Sequence, residues 1–342
     1  MLNDSVLLKV VKGERTARLP VWFMRQAGRY LPEYRELRKR HRMLELISTP
    51  ELAAKVTLQP IDRFDLDAAI IFADILNPLI GMGVKLDFVE GEGPKIFNPI
   101  ASESDVDRLS VPDVKDSVGY TLEAIGICVK SLTPRGVPLI GFAGAPFTLS
   151  SYLIEQGGHS TLAATKHFMF SRPEAWHNLQ QKLSTMIANY LIAQAEAGVS
   201  LVQIFDSWAG VLSEEQYREF ALPYLQSIIA KVREATPIPI FYFSTGTGAI
   251  LPLIKELGSD GISIDWRVPL PFARAVLGDN MVLQGNLDPL VLRESLDSLE
   301  RYVRVLVEQG TKCGKYIFNL GHGILPDTPP ENVARVIEII RE

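Results

Sequence analysis

The sequence predicts a single-domain α/β fold, a (β/α)8 barrel. Eight short apolar runs rich in β-branched and aromatic residues recur along the 342 residues, and the segments between them carry helical period. No Gly/Ser-rich or Pro-rich linker divides the chain. Strands that alternate with helices in this way build a parallel sheet covered by helices, and such strands read as near-continuous apolar runs. A doubly wound sheet of similar length is the competing architecture.

The runs are PVWFM (20–24), AAIIF (68–72), VPLIGFA (137–143), VSLVQIF (199–205), IPIFYF (238–243), GISIDW (261–266), MVLQGNL (281–287) and YIFNL (316–320). Gly198, Gly258, Gly278 and Gly310 precede strands at places that suit the close of a helix. Between the second and third runs, GMGVKLDFVEGEGPKIFNPI alternates around a Gly-Glu-Gly turn and predicts a hairpin, followed by a helix over 114–132. The domain is thus expected to span 1–342, with an inserted hairpin and helix at about 81–132. Residues 162–197 predict a long amphipathic helix broken near Pro173, and a last helix follows Pro329 and Pro330.

Composition narrows the function. Hydrophobic residues make up 47% and charged residues 22% of the chain, a globular balance, and the net charge of -5 has the wrong sign for a nucleic-acid partner. Cys128 and Cys313 are too far apart for a CxxC pair and too few for a disulfide framework, which fits a reducing compartment. The N-terminal stretch lacks a basic region ahead of its apolar residues, Lys9 interrupts it, and no apolar run approaches the ~18 residues of a membrane span. A cytoplasmic protein is expected, away from membranes.

In a barrel the chemistry gathers at the C-terminal ends of the strands. Those ends carry Arg25 and Arg29, Asp74, the Gly-Ala-Pro at 144–146, Asp206 and Ser207, Ser244, Asp265, Asn286 and His322. For each Asp or Ser the alternative is a helix cap. Residues 25–42 hold seven basic side chains against two acidic ones, most of them readable as a solvated helix face that starts at Pro32. Arg25 and Arg29 differ: they follow a strand directly, Gly28 permits close backbone approach, and guanidinium forks there suit carboxylates or phosphates. Asp74 ends a buried strand and can accept N–H donors or oppose a developing cation. Tyr152 lies on the helix after the third strand, where a core tyrosine is the alternative. His322 stands between Gly321 and Gly323, which leave it open to a ligand.

TGTGA at 245–249 lacks the third glycine of a dinucleotide fingerprint and the lysine of a P-loop. The histidines at 41, 159, 167, 177 and 322 show no metal-ligand spacing.

PVWFMRQAGRYLPEYR (20–35) and GFAGAPFTLSSYLIE (141–155) resemble the two signature segments of the uroporphyrinogen decarboxylase family of the tetrapyrrole pathway. LQPIDRFDLDAAIIFADIL, VQIFDSWAG, LQGNLDP and FNLGHGILPDTPPENV extend the likeness over the whole chain. DWRVPL departs from the family's DWT-type run, and Thr245 stands where lysine is common. The resemblance implies conversion of the four acetate side chains of uroporphyrinogen III to methyl groups, giving coproporphyrinogen III in haem biosynthesis. It also implies a homodimer that needs neither cofactor nor metal.

Residue by residue, the resemblance implies that Arg25, Gln26, Ala27, Gly28 and Arg29, with Arg38, hold the substrate's carboxylates. Asp74 would sit beneath the macrocycle and accept its pyrrole N–H groups. Tyr152, Phe205, Ser207 and His322 would complete the binding shell, and Asp74, Arg25, Tyr152 and His322 form the implied catalytic set. Loss of carbon dioxide needs an electron sink, which many enzymes take from a cofactor. A pyrrole protonated at its α-carbon supplies one itself. Arg25, Tyr152, His322 and ordered water are all candidates to deliver that proton, and arginine is a poor acid at its ordinary pKa. Two rivals remain: a zinc-dependent methyltransferase of a related branch, which would need a His-x-Cys pair and a later Cys near strand ends, and a non-catalytic tetrapyrrole binder.

Overall fold

The computed structural model describes residues 4–89, 93–157 and 161–342. Seven parallel strands form one sheet in the order β1 (Ala69–Ile70), β4 (Leu139–Gly144), β5 (Leu201–Asp206), β6 (Ile240–Ser244), β7 (Gly261–Ser263), β8 (Val282–Leu287) and β9 (Tyr316–Leu320). A separate antiparallel hairpin, β2 (Leu86–Val89) and β3 (Gly93–Ile96), pairs Leu86 with Ile96. Residues 91 and 92 of the expected Gly-Glu-Gly turn, and His159, lie outside the described residues.

The eighth place belongs to the first apolar run. Val21 makes a parallel bridge to Phe318 of β9, with Phe318 N–H donating to Pro20 O at 2.9 Å. On its other side Asp67 N–H donates to Val21 O at 2.8 Å, just ahead of β1, so the run lies between β9 and β1 and closes the circle. The architecture is the expected (β/α)8 barrel. The run makes a bridge rather than a full ladder because its next groups turn elsewhere: Met24 N–H goes to Asn319 Oδ1 and Val21 N–H to the Asp67 carboxylate. The second run likewise gives only two strand residues, since Phe72 N–H leaves the sheet for Thr57 Oγ1.

Polar contacts tie the barrel interior together. Trp22 Nε1 donates to Gln284 Oε1 at 2.9 Å, and Gln284 Nε2 donates to Gln203 Oε1 at 2.9 Å and Ser263 Oγ at 2.7 Å. All four side chains are buried, and these bonds supply the partners that buried polar groups need, although Gln203 Nε2 has none among the described residues. Several of the outer helices open on proline, as at Pro32, Pro50, Pro146, Pro173 and Pro330, where the missing N–H has no helical role to fill. The helix Val114–Leu132 matches its expected span, and Pro173 separates Ala163–Ser171 from Pro173–Glu196 as the sequence predicts.

One expected helix end is corrected. Gly310 lies inside the helix Leu296–Cys313, where an added Cβ would stand 2.2 Å from the Tyr316 ring. That helix stops at Gly314, whose φ of +78° is left-handed. Gly310 is there for close packing on β9. Among the described residues no helix is long and apolar enough to cross a membrane.

Candidate active site

The loop after the first strand position is built as a tight turn. Gln26 N–H donates to Phe23 O at 2.9 Å, which places Arg25 at the third residue of the turn with φ +62°, a conformation that favours glycine. The surrounding contacts hold this against its strain: Gln26 Oε1 accepts from Phe23 N–H, its Nε2 donates to Ala68 O, and Ile324 N–H donates to Met24 O. The Gln26 side chain therefore departs from the expected ligand role. It is fully buried, with both amide ends bound to backbone, and it shapes the loop instead.

What this loop offers outward is positive. Arg25 and Arg29 are exposed, and among the described residues neither has a carboxylate partner. Arginines on the opposite, N-terminal face are bound up: Arg18 and Arg341 both bridge to Asp67, at 2.8 and 3.0 Å. Ala27 and Gly28 are half-buried, and the N–H groups of 27 to 29 have no acceptor among the described residues. A Cβ on Gly28 would come within 3.1 Å of Arg25 O, so glycine is what lets the loop fold this closely. Arg38 ends the helix Pro32–Arg38 and donates to His41 O at 2.6 Å. Burial raises the pKa of the Tyr34 phenol, with the charges of Arg38 and Arg29 opposing.

Asp74 follows β1 and caps its own turn, with Oδ1 accepting from Leu76 N–H at 2.9 Å. The next helix, Asn77–Gly81, takes no cap from it, and Oδ2 has no donor among the described residues. Burial raises the carboxyl pKa above its usual value, against the pull of that N–H and of Arg25. Tyr152, on the helix Pro146–Glu155, has its phenol pKa raised by burial and then by the Asp74 charge, with Trp208 and Arg25 opposing. His322 is lowered to about 4 by burial first and by Arg25 and Arg267 next. Its Nδ1 accepts Gly323 N–H at 2.8 Å, which leaves the proton of the neutral ring on Nε2. The Arg25 charge opposes the rise at Asp74 and Tyr152 and adds to the fall at His322.

An aromatic wall lies beside these groups. Phe205 meets Phe142 and Phe243 edge-on, each at 5.5 Å, and Phe243 meets His322 at 6.0 Å. Ser207 is half-buried at the head of the next loop, where its carbonyl accepts from Thr245 Oγ1 at 2.9 Å. The glycines around His322 have a second use: a Cβ on Gly321 would stand 2.5 Å from Trp266 N, so the two loops meet only because it is absent.

Two side chains that sequence reasoning missed belong here. Trp208 packs edge-on against Tyr152 at 5.9 Å, and its indole N–H favours the ionised phenol while standing outside hydrogen-bonding geometry. Arg267 stacks over Trp266 at 4.2 Å, pairs with buried Asp265 at 2.8 Å, and adds a further positive charge near His322. Only the departure DWRVPL signalled it. Among the described residues no group of three or more His, Cys, Asp or Glu is placed to hold a metal. Cys128 is buried within the helix Val114–Leu132 and Cys313 ends the helix Leu296–Cys313, so neither stands at a strand end as the zinc methyltransferase alternative requires.

The fold is shared with a methyltransferase from Methanosarcina mazei, with a TM-score of 0.82 over 98% of this chain and 97% of that one at 22% identity. A B12-independent methionine synthase from Shewanella matches more loosely, with a TM-score of 0.56 over 87% and 89% of the two chains at 13% identity. Proteins named uroporphyrinogen decarboxylase are 48% identical in Thermus thermophilus, over 100% of this chain and 98% of theirs, and 46% identical in Chloroflexus aggregans, over 98% and 94%. The family model described as uroporphyrinogen decarboxylase matches residues 2–342. With a model spanning almost every residue and relatives of nearly equal length approaching half identity, the chain belongs to the uroporphyrinogen decarboxylase family.

Proposed function

We propose that this enzyme removes carbon dioxide from the four acetate side chains of uroporphyrinogen III, leaving methyl groups and giving coproporphyrinogen III, with no cofactor or metal. The observation that carries this reading is the loop after the first strand: Arg25 and Arg29 are exposed without a carboxylate partner among the described residues, and the Arg25 side chain packs against Gly323, next to His322. Arg29, Arg38 and the N–H groups of 27 to 29 supply further anchors for a substrate with many carboxylates.

The chemistry follows the substrate's own electronics. Protonation of a pyrrole α-carbon makes the ring cationic, and the electrons of the breaking carbon–carboxylate bond flow into it as carbon dioxide leaves. The exocyclic methylene then takes a proton to become methyl, and the α-carbon gives one up. Asp74 Oδ2 can accept pyrrole N–H and oppose the cation, which favours the transition state over the neutral ground state. His322, uncharged at neutral pH, donates from Nε2 rather than serving as an imidazolium acid. Phe205 and its aromatic neighbours give the macrocycle an apolar wall, with Ser207 at its edge.

The same reading takes the enzyme as a cytoplasmic homodimer, which mass measurement in solution checks. Activity is tested by anaerobic incubation with uroporphyrinogen in the presence of a chelator, resolving products by carboxyl count. A four-carboxyl product is expected; substrate left with all eight carboxyls overturns the reading, and turnover that returns only with added zinc revives a metal-dependent one.

A further inference from the structure

Asp206, the last residue of β5, is completely buried and takes no place in the cleft. Its Oδ1 accepts from Thr148 Oγ1 at 2.7 Å and its Oδ2 from Tyr242 Oη at 2.9 Å, while Tyr217 Oη donates to Tyr242 Oη at 3.1 Å. A buried carboxyl group is unfavourable unless it is hydrogen-bonded, and a strand end has no packing need for one.

The network runs in two directions. One ends at Tyr217, in the helix Glu214–Phe220, whose hydroxyl meets that of Tyr242. The other ends at the site. Thr148 lies in the first turn of the helix Pro146–Glu155, one turn ahead of Tyr152 and on the same face of the helix. Its single hydroxyl proton goes to Asp206, which leaves the oxygen's lone pairs to accept Trp208 N–H at 3.3 Å. The Trp208 ring in turn lies edge-on to Tyr152, at 5.9 Å and 73°. One hydroxyl therefore joins the helix that carries Tyr152 to the loop that carries Ser207 and Trp208, and the carboxyl group sets which way that hydroxyl points.

We propose that Asp206 and Thr148 are positioning residues for the decarboxylation: Asp206, acting through Thr148, fixes the Tyr152 phenol and the Trp208 edge against the cleft. This rests on the decarboxylase reading above, and it assigns work to two groups that do not touch the substrate.

The test compares the two ends of the network on the full-length enzyme, measuring kcat and KM with uroporphyrinogen and the melting temperature. Thr148→Val keeps the side-chain shape and removes the hydroxyl; it is expected to lower kcat about 10- to 100-fold with KM little changed, the pattern of misplaced groups. Thr148→Ser restores the hydroxyl and should return kcat to near the wild-type value. Tyr217→Phe removes a buried hydrogen bond at the far end and should lower the melting temperature without lowering kcat. Should Thr148→Val not fold, Thr148→Ala, which also removes the hydroxyl, takes its place with the same expected loss. Wild-type kcat in the variant at the Thr148 end, or an equal loss in Tyr217→Phe, overturns the positioning role while the decarboxylase reading stands. A wild-type enzyme that leaves the substrate unchanged overturns both.

Discussion

Gly323 makes room for Arg25: a Cβ at position 323 would lie 2.3 Å from Arg25 Cδ and 2.7 Å from its Cγ. The contact joins the loop after the last strand to the loop after the first, the two ends of the chain's circuit around the barrel. Arg25 also holds a left-handed backbone, so its side chain leaves the turn in a direction the loop dictates. Its guanidinium is aimed by a glycine almost 300 residues away in sequence.

That relationship predicts the outcome of Gly323→Ala. The clashing atoms belong to a flexible side chain, so Arg25 yields and the fold does not. Turnover should fall by about 10-fold or more, with the melting temperature nearly unchanged. Kinetics and thermal unfolding on the same preparation check it; full activity would show that the direction of Arg25 is unimportant.

Arg29→Lys keeps the charge and loses the fork. A point ammonium does not reproduce bidentate contact with a carboxylate, so substrate binding should weaken by about 1.5 to 3 kcal/mol, the value of one charge-assisted bond. Titration with substrate or product reads the change directly. Equal affinity would return Arg29 to an ordinary surface residue.

Acid stability should carry two opposed contributions. Native His322 stays neutral down to about 4, whereas an unfolded histidine takes up its proton near 6.5, so the unfolded state binds more protons between those values. Its contribution to stability is therefore lost as pH falls through that window. Asp206 has the other sign: it is held up at about 6 against an unfolded 3.8, the native state binds more protons in between, and its contribution is lost as pH rises. Melting temperatures from about pH 4.5 to 7 should fall less steeply on acidification for His322→Asn than for wild type, and more steeply for Asp206→Asn. Parallel curves for all three proteins would contradict both assignments.

The fold was legible because parallel strands buried on both faces leave apolar runs that nothing else in the chain imitates, and all eight such runs occupy barrel strand positions. Gly310 was misread because a glycine that admits the Tyr316 ring looks, in sequence, the same as one that ends a helix. At the site, Arg25, Arg29, Asp74 and His322 stood out because each directly follows a strand. Trp208 and Arg267 follow strands too, but their places beside Tyr152 and near His322 depend on loops of different strands coming together. Gln26 shows the converse: its neighbours Arg25 and Ala27 are exposed or half-buried, but a single turn swings its own side chain into the wall.

In the proposed reaction an ionised Asp74, already in place, opposes the cation formed on the pyrrole. Asp74→Asn is nearly the same size and keeps an oxygen to accept Leu76 N–H, so the turn it caps survives. What it removes is the charge. Turnover of uroporphyrinogen by the purified variant, measured beside its melting temperature, tests the claim most directly. The expected loss is at least ~100-fold, or about 2.7 kcal/mol of transition-state stabilisation, in a protein that melts close to wild type and still binds substrate. Near-normal turnover by the folded variant would contradict it and leave Asp74 as a residue that shapes its loop and nothing more.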